Sequence, residues 1–445
     1  MKLTLIKPTI GRMVHSLYVD EARMEPLNLG VLAALTPPDV DVVMYDDRME
    51  PIPYQDPTDL VAMTVETYTA RRSYEIADEY RRRGVRVIMG GFQPTFVPDE
   101  CAAHADSLFI GDAETLWATV VEDARRGDLK PMYRASPGPA QPGVLTRRDI
   151  YEGKGYLPIS LLQFSRGCRF VCDFCAVTRY FDKKHYLRAI DETIQEVATQ
   201  GRKLLFFVDD NIASDRAALK ELCRALIPMR VNWVSQASLD VTADREAMEL
   251  MVRAGCLGHI MGFESITRES VREAKKSPNL PKFDKYATQI RILREYGLQT
   301  WAAFTLGYDH DTVDSVRATL DFALENRFTF AAFNILMPYP NTPLYARLER
   351  EGRHLYDGQW WLHPRYRFND AAFVPTRMTA DQLTRACYEA RMEFNRIPSL
   401  LWRFSDLKTN MRTLTRMATF WRFNPVFRRE VFKKHGMLFG HFGHC

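Results

Sequence analysis

Three of the eight cysteines in this 445-residue chain lie within eight consecutive positions, Cys168, Cys172 and Cys175, in the stretch "SRGCRFVCDFCAVTRYF" at 165–181. Three thiolates at C-x3-C-x2-C have two chemical uses. A structural zinc site needs a fourth ligand, and His185 is the nearest candidate. An iron–sulfur cluster held by three cysteines leaves one iron open to a substrate or cofactor. Two features favour iron. The residues between the thiols, Phe170, Val171 and Phe174, are large and apolar and suit a dry redox cavity. The stretch also follows a strand directly, whereas structural zinc usually ties together ligand pairs on small hairpins.

The elements that must position these thiols are legible around them. "ISLLQFS", "KLLFFVDD", "VNWVSQAS", "LGHIMGFES", "TWAAFTLGY" and "FAAFNILMPY" read as strands, with helices such as 189–200 and 215–227 between them. Six such units predict a (β/α)6 partial barrel over 156–375, with chemistry at the carboxyl ends of its strands. The cysteines follow the first of these strands.

Residues 1–133 alternate short apolar runs ("LTLIK", "VDVVMYD", "DLVAMTV", "VRVIMGG", "SLFIGD") with helical stretches such as 69–83, stopped at Gly84. That alternation predicts a doubly wound, Rossmann-like parallel sheet with helices on both faces. Ligands in such folds sit beyond the carboxyl ends of the strands. Thr64, Glu66, Gly90, Gly91, Gly111 and Glu114 stand at those ends, and Gln93 just beyond. The stretch 134–155, rich in Pro and Gly, reads as a linker, and 376–445 as a mainly helical region.

The chain carries a net charge of only +4, which argues against a nucleic-acid partner. From Arg396 to Cys445, however, ten Lys and Arg face two acids, a local net of +8, interleaved with Trp and Phe. Two readings stay open for that tail: an interfacial helix on anionic lipid, or a helix packing its aromatics on the barrel. His435, His441 and His444 beside Cys445 could mimic a metal site. No signal peptide and no run of about 18 apolar residues occurs, so a cytoplasmic protein is expected. The scattered Cys101, Cys223, Cys256, Cys387 and Cys445 suggest no disulfide framework.

"CRFVCDFC" resembles the signature of the radical S-adenosylmethionine enzymes, including the aromatic Phe174 before the last cysteine. The resemblance implies a [4Fe-4S] cluster whose open iron chelates S-adenosylmethionine, whose reductive cleavage gives a 5′-deoxyadenosyl radical. It further implies that Asp209 and Asp210 lie near the methionine amino end. Ser235, Gln236, Gly262 and Glu264 would then lie near the ribose and carboxylate, with Thr305 and Gly307 near the adenine. A reducing partner such as a flavodoxin or ferredoxin is implied with them.

The N-terminal stretch is similar to the cobalamin-binding domain that precedes the barrel in one class of this family. "GGFQPTFVPDE" and "FIGDAE" match its loops, and Thr64 lies 26 residues before Gly90, as is common there. The Asp-x-His-x-x-Gly motif that supplies an axial histidine is absent, and His15 is the only histidine before residue 100. Many members of the class lack that motif. The resemblance therefore implies cobalamin as a third cofactor and methyl transfer to an unactivated carbon of a small, hydrophobic substrate, a lipid or a tetrapyrrole. Two alternatives remain: oxidative cyclisation or rearrangement in the same architecture, and a zinc-stapled binding protein without catalysis.

Overall fold

The computed structural model describes residues 1–11, 23–276 and 278–440. His15, His441, His444 and Cys445 lie outside the described residues. The chain forms two compact units, one of 1–157 with 359–368 and the segment from 436 onward, the other of 158–358 with 369–435.

In the first unit, six parallel strands stand in the order β2-β1-β3-β4-β5-β6: β1 (Lys2–Lys7), β2 (Asp41–Asp46), β3 (Leu60–Thr64), β4 (Arg86–Gly90), β5 (Ser107–Ile110) and β6 (Met132–Arg134). Helices cover a doubly wound sheet on both faces, so the strands read as unbroken apolar runs. Leu3, Leu5, Leu60 and Ala62 all lie in the core. The helix Ala70–Arg82 buries Ala70, Ser73, Tyr74, Ala77 and Tyr80 along one stripe. It stops at Gly84, whose φ of +80° suits a residue without Cβ. The strand order reverses direction between β1 and β3, which makes their carboxyl ends the natural ligand crevice of this unit.

Three segments join this unit against expectation. Within 134–155, Ile150 and Tyr151 enter the core, and the Tyr151 hydroxyl donates to Pro26 O at 2.9 Å. In 359–368, Trp360 and Trp361 are fully buried, with Trp361 Nε1 donating to Glu100 Oε1 at 3.1 Å. Phe439 packs on Tyr366 at 5.1 Å between centroids, and Gly440 pairs with Gly11.

The second unit holds β7 (Ser160–Leu162), a hairpin of β8 (Ser165–Gly167) and β9 (His185–Leu187), then β10 (Leu204–Phe207), β11 (Asn232–Gln236), β12 (Cys256–Glu264), β13 (Gln299–Leu306) and β14 (Phe330–Ile335). Its main sheet runs β14-β13-β12-β11-β10-β7, parallel throughout, with a helix after each strand, the partial-barrel arrangement. Phe263, Phe304 and Phe333 stack across neighbouring strands at 5.7 and 5.6 Å and meet helix residues Phe322 and Phe394. Alternation along the strands then puts Gly262 and Thr305 on the opposite face. Cys101, Cys223, Cys256 and Cys387 are all buried single thiols.

The helices Ile397–Phe404 and Leu414–Lys434 close this unit. Phe404 meets Phe420 at 5.3 Å, and the buried Arg403 donates to Thr329 O at 2.7 Å and Phe394 O at 3.1 Å. His435 stacks on Tyr388 at 3.8 Å.

Candidate active site

The three cysteines occupy the loop that leaves β8. Gly167, just before Cys168, has φ +81°, and a Cβ there would lie 2.2 Å from Lys184 O, so the hairpin closes over glycine. Asp209 and Asp210, after β10, grip this base. The Asp209 carboxylate accepts from the Ser165 hydroxyl at 2.5 Å, from Phe164 N at 3.2 Å and from Ser165 N. Burial, with Asp210 alongside, pushes the Asp209 carboxyl up to about 7 against those three donors. Asp210 Oδ2 accepts from Gly167 N at 2.7 Å, and among the described residues no donor meets its Oδ1. On the far side of the loop, Asp173 N donates to Ala274 O at 3.2 Å and Leu344 N to Asp173 O at 3.1 Å. Cys175 N closes a turn onto Cys172 O around Phe174.

Facing the thiols, the expected Glu264 forms a buried ion pair with Lys276, a partner that the sequence pattern did not single out. Lys276 Nζ lies 2.8 Å from Glu264 Oε1, and the Thr305 hydroxyl donates to Glu264 Oε2 at 2.8 Å. Glu264 sits at a register shift in β12 with φ +64°, a left-handed conformation that turns its carboxylate toward Thr305. Asn279 holds that bend by donating to Gly262 O at 2.9 Å and Phe263 O at 3.1 Å. A Cβ on Gly262 would lie 2.3 Å from Glu264 Oε1 and 2.9 Å from Lys276 Nζ, so only glycine leaves room for the pair. Burial pushes the Cys172 thiol up to about 12 and raises that of Cys168; the Lys276 ammonium acts on both in the opposite sense.

Of the other expected residues, Ser235 is buried with its hydroxyl 2.9 Å from His259 Nδ1, and Gln236 Nε2 donates to Asp209 O at 3.2 Å. Gly307, at φ +112°, begins a turn fixed by Asp311, whose Oδ2 accepts from Gly307 N and Tyr308 N at 2.9 and 3.1 Å. Tyr308 is fully buried, its hydroxyl has no hydrogen-bond partner among the described residues, and the charges that act on it include Glu264, Asp173 and Cys172. Lys276, Asn279 and Tyr308 are thus additions to the expected set. Only Tyr308, directly after the "FTLG" strand end, carried a signal; Lys276 in a "KK" pair reads as surface.

In the first unit, Thr64 pairs with Gly90, and Gly91 (φ +105°) approaches so closely that a Cβ would lie 2.8 Å from Val65 O. Gln93 is wholly buried, donates from Nε2 to Glu100 at 2.9 Å and leaves Oε1 without a partner among the described residues. Gly111 (φ +89°) closes on Ala135 O. Glu66 pairs with Lys7 at 2.8 Å across the β1/β3 crevice, and Glu114 lies beyond β5. Gly91 and Gly111 let neighbouring backbone close in, and the unpartnered oxygen of Gln93 is the feature here that fits a ligand rich in amide donors, such as cobalamin.

The donor set in the second unit fits an iron–sulfur cluster. A cluster asks only for thiolates on separate irons, and the loop offers three thiols beside an ammonium. His185, on β9, has no hydrogen-bond partner at either ring nitrogen among the described residues and is influenced by Arg169 and Asp215.

Comparison with known proteins agrees with this geometry. The model of the radical SAM superfamily matches residues 162–323. The chain is 30% identical over 359 residues to bacteriochlorophyllide d C-8(2)-methyltransferase of Chlorobaculum tepidum, covering 75% of this chain and 78% of that protein. It is 28% identical over 396 residues to the C-12(1)-methyltransferase of the same organism, covering 86% and 84%. The fold is similar to that of the radical S-adenosylmethionine methyltransferase TsrM from Kitasatospora setae, solved with cobalamin and a [4Fe-4S] cluster bound, with a TM-score of 0.61 at 18% identity over 79% of this chain and 78% of that one.

Proposed function

Because this chain belongs to the radical SAM superfamily, among its methyltransferase-like enzymes with a Rossmann-like domain ahead of the barrel, we propose that it methylates an unactivated carbon of a hydrophobic, tetrapyrrole-like substrate. The observation that carries this reading is the three-thiol loop faced by the Lys276–Glu264 pair. When bound, the cluster and S-adenosylmethionine supply a hydrogen-abstracting deoxyadenosyl radical, and cobalamin supplies the methyl group.

The chain's own residues then have divided tasks. Cys168, Cys172 and Cys175 hold the cluster, and Phe174 helps keep its surroundings dry. Asp209 fixes the loop, while the open oxygen of Asp210 is available to an ammonium. Lys276 offers a positive charge to a carboxylate, and Glu264, held by Thr305, offers acceptors to hydroxyls. Gly262 leaves room for the Glu264–Lys276 pair and Gly307 for Leu383 and Phe373 behind the strand end, and Ser235 and Gln236 shape the barrel wall. In the first unit, Thr64, Gly90, Gly91, Gln93 and Gly111 line the cobalamin crevice, with Glu66 and Glu114 at its rim. No side chain need act as a strong acid or base.

A macrocyclic substrate is supported by the names of both Chlorobaculum relatives. The partners are that small molecule and a one-electron reductant of the flavodoxin or ferredoxin type; the low net charge gives no reason to expect a nucleic acid. No helix of the described residues is long and apolar enough to cross a membrane. The reading goes with a cytoplasmic location and peripheral membrane contact through the C-terminal region.

Anaerobic incubation of the reconstituted enzyme with methyl-labelled S-adenosylmethionine and a set of chlorins and porphyrins tests this. Label in the product, together with 5′-deoxyadenosine, is expected. A product formed without label would replace methyl transfer by ring closure or rearrangement.

A further inference from the structure

Eleven large apolar side chains are exposed among the described residues, and six of them fall between 397 and 421: Ile397, Leu401, Trp402, Leu407, Leu414 and Trp421. Leu407 is 73% and Leu414 82% exposed. Scattered apolar residues on a surface need no explanation, but a concentration of this kind does. Ile397 and Leu401 share one side of the first closing helix at a spacing of four. Leu414, Ala418, Trp421 and Arg422 share one side of the second at spacings of four, three and one. Phe404 packs against both Phe420 and Trp421, at 5.3 and 5.0 Å, so the two helices are neighbours.

The charges on this face have one sign. From Arg396 to Arg422 no exposed residue is acidic. The single acid, Asp406, is buried, pairs with Arg294 at 3.0 Å and accepts from Thr409 at 2.8 Å. Arg396 is paired with Glu393, but Lys408, Arg412 and Arg422 are exposed and have no carboxylate within ion-pair distance among the described residues. Trp402 is held in place by the Arg327 guanidinium 3.7 Å above its ring and by a bond from Nε1 to Leu324 O at 3.1 Å, and is still half exposed. Fixed tryptophan, protruding leucines and unpaired cations together match the headgroup layer of an anionic membrane. A second copy of the chain across a twofold axis would instead bring these like charges together.

We propose that the face formed by Ile397–Phe404, Leu414–Trp421 and the turn between them docks on an anionic lipid bilayer. This surface rests on the peripheral location proposed above and on nothing in the chemistry. Vesicle binding can therefore hold while methyl transfer fails, and labelled product can form in a protein that binds no lipid.

The test uses the full-length protein in sedimentation with phosphatidylcholine vesicles, with and without about 30% phosphatidylglycerol. Binding to the anionic vesicles, lost at high salt, is expected. Each cation near an anionic leaflet strengthens partitioning about fivefold, so K408E/R422E, which spares the Arg412 bond to Glu295 O, should weaken it by at least about 25-fold. L407S/L414S alters only exposed side chains and should also weaken it. Both variants should keep the wild-type melting temperature and 5′-deoxyadenosine formation. Wild-type protein that stays in the supernatant, or binding that neither variant reduces, would overturn the assignment. So would a wild-type dimer that L407S/L414S converts to monomer, since the face would then belong to a second copy.

Discussion

Replacing Lys276 by Met removes the cation paired with Glu264, and the effect can be worked from the geometry. The two groups meet at 2.8 Å with side-chain exposures of 17% and 7%, so both are largely out of water. Removing one partner of such a pair leaves an uncompensated charge and costs about 3–5 kcal/mol, whereas neutralising both is much milder. K276M should therefore destabilise the second unit by that amount, and K276M/E264Q should recover a coupling of about 2 kcal/mol. Urea unfolding followed by far-ultraviolet circular dichroism, compared between the single and double variants, reads this. The same substitution acts on the thiols. Lys276 is the largest influence opposing the rise of the Cys172 thiol, and Glu264 acts the other way. Without the ammonium the thiols move further up, and since iron binds thiolate, cluster uptake near neutral pH should fall and recover as pH is raised. Additive effects of the two substitutions, or iron uptake by K276M equal to wild type at about pH 7.5, would refute the reasoning.

Cys172→Ala should fold but hold little iron and release no 5′-deoxyadenosine, because two thiolates hold a cluster poorly; iron analysis and chromatography check this, and retained cleavage of S-adenosylmethionine counts against it. Gly91→Ala places a Cβ 2.8 Å from Val65 O at φ +105°, a strain of about 1–3 kcal/mol, and should weaken hydroxocobalamin binding about tenfold or more in a visible-absorbance titration. Asp209 has a folded value of about 7 against about 3.9 unfolded, so the folded chain holds its proton more tightly. Its contribution to stability is complete below about pH 4 and is lost as pH rises through about 7. Unfolding at about pH 5 and about pH 8 should show that loss in wild type and not in D209N; equal pH dependence in the two proteins would be the contrary result.

The strands of both sheets could be read because parallel strands covered on both faces become continuous apolar runs, and "LTLIK" or "TWAAFTLGY" leave little else to fit. The thiol loop was legible because its spacing is local. Partnership across the fold was not. Asp209 and Asp210 are plain as acids at a strand end, but that most of their oxygens are taken by residues 164–167 depends on a neighbouring strand more than forty residues away. Lys276 gains its role only through the turn that Asn279 fixes under β12. Pro and Gly in 134–155 suggested a linker, but composition does not reveal that Ile150 and Tyr151 face a core. The tail contained both readings offered for it: Phe404 and Phe420 turn inward, while Leu407 and Leu414 turn outward.

The first unit takes Trp360, Trp361 and Phe439 from segments more than 200 residues beyond its last strand. During synthesis its sheet emerges early, but its aromatic wall waits until nearly the whole barrel has left the ribosome. A fragment cut after residue 157 would expose the seats of those rings to water, so this unit is a poor subject for expression alone. Adding a synthetic peptide spanning 359–368 to such a fragment should restore part of its order.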